Sequence, residues 1–153
     1  MVELEIDEWA KELDHLANFT DSPDFSQEMG GPVKEEVRQS VRDAFTSSAS
    51  PVGGWDWPAR KPRKDDDGHP LLIDTGVLLQ AATGGGSGHI EDHGMDSLEF
   101  GVDGQAIPYA AVHNRGSEIM PQREYMGIKP EHQDNIDGII ADAWLDKGMI
   151  HGR

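Results

Sequence analysis

Cysteine does not occur anywhere in the chain. Its absence excludes a disulfide framework, thiolate metal sites and thiol nucleophiles, and it fits a reducing compartment. Basic residues are scarce: 13 Lys and Arg stand against 29 Asp and Glu, for a net charge of −16. Affinity for DNA comes largely from Lys and Arg releasing condensed counterions, so such a chain is not built to hold nucleic acid. The bland meaning of the acidic excess is solubility. No apolar run is long enough to span a bilayer. The first residues, MVELEIDEWAKEL, lack the basic start and apolar centre of a signal peptide. The expectation is a chain made and assembled in the cytoplasm, with no membrane partner.

What is present suffices for one domain over residues 1–153, with a core of useful size. Glu3 to Phe19 reads as an amphipathic helix, with Ile6, Trp9, Leu13 and Leu16 on one stripe and acidic residues around it. Thr20 to Pro23 ends it. A second helix is expected to open near Gly31-Pro32, because proline is tolerated in a first turn. Val33, Val37, Val41 and Phe45 follow at four-residue intervals, and Thr46 to Pro51 dissolves the pattern.

Residues 51–70, PVGGWDWPARKPRKDDDGHP, have no periodicity and read as a long extended loop. Trp55 and Trp57 argue against a merely solvated tether, since exposed indoles are favoured at interfaces. Arg60, Lys61, Arg63 and Lys64 form the one dense basic cluster, followed at once by Asp65, Asp66 and Asp67. The cluster could touch nucleic acid, but pairing with acidic surface on neighbouring subunits, or locally with those aspartates, is favoured; the two tryptophans and four cations are the candidate inter-subunit contacts.

Asp74-Thr75 is a candidate N-cap for a short helix bearing Val77 and Leu78. Gly84 to Gly88 ends that helix. A sheet of three to four antiparallel strands is expected next. His89–Asp92 forms one strand, and Leu98, Phe100 and Val102 alternate on another. Asp103-Gly104 turns into Ala106-Ile107, Pro108 closes that strand, and Glu124–Ile128 completes the set. Pro130 opens a final helix with Ile136, Ile139, Ile140, Ala143 and Trp144 on one face and Gly148 as its cap. The fold class is therefore α+β: a small antiparallel sheet packed by N-terminal and C-terminal helices, with a long loop.

The most specific text is YAAVHNRGSEIMPQREYMGI, residues 109–128. Tyr109, Val112 and His113 share one face of a helical turn, Gly116 stops it, and Pro121, Arg123 and Gly127 punctuate an extended exit. Upstream stands PLLIDTGVL, with Asp74, Thr75, Gly76 and Leu78. Taken together and in this order, the two stretches resemble the landmarks of the Mu-like virion morphogenesis and tail completion proteins of tailed phages. Glu124 departs from the pattern, standing where those proteins often have proline.

Enzymatic alternatives are weaker on the residues themselves. Gly84 to Gly88 lacks the Lys-Ser or Lys-Thr of a phosphate loop. His89 and His93 flank Glu91 and Asp92, but four-residue spacing joins two histidines only on a helix, and this segment reads as strand. His113 has no serine in a nucleophile elbow to serve, and reads as a packed histidine at a helix end. Asp74-Thr75-Gly76 resembles an aspartic protease triplet, yet such sites need two copies. Arg123 beside Glu124 reads as half of a structural ion pair. No catalytic residue, metal ligand or cofactor is therefore expected.

The resemblance implies a structural virion protein at the head–tail neck. It implies a ring, hexameric by analogy, that completes or terminates the tail and joins it to the connector. Its partners would be further copies of itself and the adjacent neck, tube or sheath proteins, with genome DNA passing an acidic lumen without specific binding. A stopper or adaptor ring between portal and tail is the nearest alternative. A metal-dependent hydrolase and an acidic DNA mimic are the contrasting classes.

Overall fold

The computed structural model describes residues 24–62, 64, 68–94 and 97–146. The expected helix at Glu3–Phe19, Arg63, Asp65–Asp67 and the Gly148 cap lie outside them, as does the side chain of Trp144. Among the described residues the chain is α+β, with four helices and a two-stranded antiparallel sheet. No helix among them is long and apolar enough to cross a membrane.

Helix α1, Asp24–Ser47, is longer than the sequence pattern suggests. It runs through Gly30, Gly31 and Pro32, so Pro32 lies inside the helix and removes one ladder bond there. Its buried face carries Met29, Ser40, Val41, Ala44 and Phe45. Val33 and Val37, on the expected stripe, are only half-buried. Helix α2, Val77–Ala82, starts from Gly76 in the left-handed conformation (φ 79°), with no side-chain cap. Asp74 and Thr75 therefore do not cap it. The left-handed turn at glycine sets the first helical bond, from Gln80 N–H to the Gly76 carbonyl at 2.9 Å.

Strands β1, His89–His93, and β2, Leu98–Val102, pair in a register that sets Glu91 opposite Phe100. Ala106 and Ile107 do not form the expected partner of β2. Asp103 instead winds the chain into a turn: its carboxylate accepts the Gln105 N–H at 2.8 Å, and its carbonyl accepts the Ile107 N–H at 2.9 Å. Glu124–Ile128 is not a strand either. Its backbone groups are spent on side chains: the Tyr125 and Met126 amides donate to Asn114, and the Glu124 and Gly127 carbonyls accept from Trp57 and Ser40. With those groups engaged, no partner strand can be recruited, and the sheet stops at two strands.

Helix α3, Ala110–Arg115, and helix α4, Pro130–Asp146, complete the elements. α4 runs back along α1. Ser40 fixes the start of that packing, donating to the Gly127 carbonyl and accepting the Lys129 N–H, both at 2.9 Å. The central core joins Val41, Ala44 and Phe45 of α1 to Leu78, Ala81 and Ala82 of α2, with Trp57, Ile107, Ala110 and Tyr125 from the connections. Phe45 is its aromatic hub, 5.7 Å from the Trp57 ring and 5.4 Å from Tyr125.

Candidate functional site

Residues 109–128 form a reversal built on α3. Gly116 ends the helix at φ 77°, and a Cβ there would sit 3.0 Å from the Gln122 nitrogen. Both the torsion and the space require glycine. The chain turns through Ser117–Met120, and the Arg123 N–H returns to the His113 carbonyl at 2.8 Å. Asn114 locks the reversal, its Oδ1 accepting the Tyr125 N–H at 3.0 Å and the Met126 N–H at 2.9 Å. The Tyr125 hydroxyl donates to the Ala110 carbonyl at 3.1 Å. Burial, with a lesser push from Tyr109, raises that phenol to about 12.

The long loop 51–70 is fastened to this reversal. Arg123 is 7% exposed, and it donates from Nε to the Pro58 carbonyl at 2.9 Å and from Nη2 to the Ala59 carbonyl at 3.2 Å. It is therefore a loop clamp and not the partner of Glu124. Successive side chains of an extended run point to opposite sides, and the Glu124 carboxylate instead accepts the Ser50 hydroxyl. The Trp57 indole donates to the Glu124 carbonyl at 2.8 Å, and the ring is 5% exposed within the chain's own core. Trp57 thus has almost no surface left to offer a neighbouring chain, whereas Trp55 is 39% exposed. A Cβ on Gly127 would meet Val52 at 2.6 Å and Pro51 at 3.0 Å, so this glycine lets the loop lie directly on the exit segment.

Loop, PLLIDTGVL stretch and reversal together enclose a cleft of about 590 Å³. Asp74, Thr75, Gly76, Leu78, Tyr109, His113, Pro121 and Arg123 all line it, as do Arg60 and Lys61 of the basic cluster. Gly116 and Gly127 shape the walls from outside; Trp55 and Lys64 are elsewhere. Leu78 is buried at the floor, while Val77, Tyr109 and Ile119 expose 41%, 46% and 84% of their surfaces around it. Arg60 reaches His69, with Nη2 lying 2.9 Å from Nδ1 and 3.2 Å from the His69 carbonyl. Among the described lining residues Arg60, Lys61 and Arg123 are the cations and Asp74 is the carboxylate, with Arg123 buried and bonded to the loop carbonyls. His113 packs its ring against Tyr109 at 5.9 Å, and its Nδ1 is buried without a hydrogen-bond partner. Burial first, then the nearby Arg123, holds its pKa below the ordinary histidine value, which favours the neutral ring. The cleft therefore presents exposed apolar side chains beside Arg60 and Lys61, a combination suited to binding another chain.

Two histidine clusters lie outside the cleft. On β1, His89 and His93 share a face with Glu91, whose carboxylate lies 3.3 Å and 2.9 Å from them and 2.9 Å from Lys34. The bonds from His93 and Lys34 hold Glu91 at about 2. Between α1 and α4, His132 places Nδ1 2.6 Å from Glu36 and Nε2 3.2 Å from Asp43. Asp43, Glu131 and His132 bring ligand-type atoms within 4.8 Å of one another. An imidazolium donating from both nitrogens accounts for this cluster with a proton alone. Sequence reasoning missed His132, Ser40 and Asn114. Glu36 and Asp43 sit seven apart on one helix face, but that spacing becomes a signal only once α4 is known to lie against it.

A sequence profile of the phage virion morphogenesis family matches residues 4–145. No curated protein and no solved structure matches the chain.

Proposed function

Because the chain belongs to the phage virion morphogenesis family, and so has a structural or assembly role in a phage virion, we propose that it is a ring-forming component of the head–tail neck. In this reading it terminates or completes the tail and joins it to the connector. One observation carries the proposal. The two landmark stretches, although some thirty residues apart in sequence, line one cleft together with Arg60 and Lys61 of the long loop. That cleft has an exposed apolar rim beside Arg60 and Lys61, in a chain of net charge −16. Such a surface suits a protein–protein contact, where aromatic and arginine side chains supply most of the binding energy.

The mechanism is geometric. A contact between two different patches on identical subunits closes into a ring when its rotation returns to the start. Hexameric closure matches the sixfold rings formed by the proteins this sequence resembles. Acidic side chains facing the axis would let DNA pass, because repeated Lys and Arg would hold phosphates through counterion release. Further copies of the chain and the adjoining neck, tube or sheath proteins are its proposed partners.

Deleting the gene tests the role. The expected lysate contains filled heads and separate tails, with joined particles restored when the chain is supplied in trans. Tails that fail to finish would put it at the terminator, and heads that leak DNA would put it at a stopper or adaptor. Joined, infectious particles at the wild-type yield would contradict both.

A further inference from the structure

We propose that Asp43, Glu131 and His132 bind one divalent transition cation, zinc by preference, which fastens α4 to α1. This site is separate from the cleft and does not depend on the ring reading. Asp43 lies near the C-terminal end of α1, and Glu131 and His132 lie in the first turn of α4. The His132 Nε2 is 3.2 Å from Asp43 Oδ2 and 3.8 Å from Glu131 Oε1. All three ligand-type atoms fall within 4.8 Å of one another, the one group of this kind among the described residues. Ligand atoms around a tetrahedral ion at ~2.1 Å stand ~3.4 Å apart. The two measured spacings bracket that value. Glu131 is the exposed member, and rotation of its side chain closes the rest.

The surroundings orient these atoms as a metal site requires. Glu36 stands 2.6 Å from His132 Nδ1 and takes a further bond from Asn135 at 3.1 Å. A carboxylate at one ring nitrogen keeps the proton there and turns the lone pair of the other nitrogen to the site, as in carboxylate–histidine–zinc arrangements. Gln39 donates to Asp43 Oδ1 at 2.9 Å, which leaves Oδ2 for the ion. His132 is 7% exposed, so packing holds the ring in this orientation.

A proton at Nε2 joins His132 to Asp43, but it does not engage Glu131, since 3.8 Å is beyond hydrogen-bond range. A divalent cation engages both carboxylates. It also settles the charge. Glu36, Asp43 and Glu131 set three carboxylates against one ammonium, that of Lys129, 3.7 Å from Asp43. With a neutral imidazole, a doubly charged ion brings this group to neutrality. The nitrogen ligand selects zinc and its neighbours over magnesium and calcium, which prefer oxygen ligands. Proton and metal compete for Nε2, so the imidazolium belongs to the metal-free chain. Because the ligands come from two helices that meet only in the fold, binding adds to folding stability.

The test uses the full-length protein, stripped with a chelator and titrated with zinc chloride by calorimetry at pH 8, where the competing proton is scarce. The expected result is one zinc per chain and a higher Tm, with no displacement by excess magnesium. Glu36→Gln should weaken the binding about 10–100-fold, the usual effect of losing an outer partner. Glu131→Ala, which removes a ligand, should weaken it at least as much. Its exposed position leaves the metal-free fold intact, so that loss is not one of folding. His132→Gln should abolish the binding, and His93→Gln, in the other histidine cluster, should leave it unchanged. No uptake with zinc in excess over protein would overturn the proposal. So would uptake that either Glu131→Ala or His132→Gln leaves unchanged, or uptake lost with His93→Gln, since each would place the ion elsewhere.

Discussion

Arg123 donates to the carbonyl oxygen of Pro58 at 2.9 Å, across 65 positions of sequence. Its second bond, to Ala59 at 3.2 Å, makes the attachment a fork. The guanidinium thereby turns an aperiodic loop into one wall of a cleft whose other wall is the reversal that carries Arg123 itself. The loop's order is thus written in a residue that lies far outside it.

Removing that fork leaves two carbonyls without their donors. Arg123→Ala should cost about 1.5–3 kcal/mol, the range for hydrogen bonds to a charged group. Arg123→Lys should recover only part of it, because an ammonium cannot reproduce a planar fork. Urea unfolding gives the energies, and faster tryptic cleavage after Arg60 or Lys64 reports the loosened loop. Unchanged protease resistance in Arg123→Ala would count against the clamp.

The two loop tryptophans should behave differently. Trp57→Ala removes an indole packed edge-on against Phe45 and should cost about 3–5 kcal/mol. Trp55→Ala, at an exposed position, should lie within about 0.5 kcal/mol of the parent. Chemical denaturation of the isolated chain distinguishes them, and equal losses would refute the assignment of Trp57 to the core.

Asn114 offers a test of the reversal. One acceptor oxygen serves two backbone amides, so Asn114→Leu should cost about 2 kcal/mol or more. Asn114→Asp keeps an acceptor in place and should retain most of the stability. If both variants unfold at the same urea concentration, the acceptor is not what holds the turn.

The contact between α1 and α4 should titrate. Burial alone would lower the pKa of His132, but its hydrogen bonds to Glu36 and Asp43 outweigh this and raise it. The His132 bond is the main cause that lowers Glu36. For Asp43, burial pushes upward and is overcome by the bonds from His132 and Gln39. A raised histidine contributes stability that is complete below its unfolded value near ~6.5 and is lost as pH rises through the folded value. The depressed carboxylates contribute above about 4–4.5 and lose that contribution as pH falls through their folded values. The cluster should therefore stabilise most between about pH 4.5 and 6.5. The Tm advantage of the parent over His132→Gln should shrink from pH 6 to pH 9. A constant or growing advantage over that interval would show that no imidazolium is involved.

The legible parts of the sequence were those in which period and burial agree. The Val41–Phe45 face of α1, the Leu78–Ala82 face of α2, the Leu98–Val102 strand and the Pro130 helix each repeat an apolar residue at their own period; the turn after Tyr109 is helical as its spacing implies, but it buries Ala110 and leaves Tyr109 and Val112 exposed. The sheet was overcounted because Asp103-Gly104 has hairpin composition, while the Asp103 side chain and carbonyl wind the following residues into a turn. Glu124–Ile128 alternates like a strand, yet Asn114, Trp57 and Ser40 occupy its backbone groups. Those three partners come from three distant segments, and no local pattern announces them. At the cleft, the residues were legible one by one, but their convergence was not. Arg123 reads as the partner of its neighbour Glu124, whereas its guanidinium is taken by the Pro58 and Ala59 carbonyls of the distant loop.

Imaging the assembled particle by electron cryomicroscopy, with this chain located in the density, tests the central claim most directly. The account predicts a closed ring on the tail axis at the top of the tube, with the Tyr109–Arg123 cleft at each subunit boundary and a net negative lumen. A lone copy away from that axis, or a ring whose lumen is basic and grips the DNA, would contradict it.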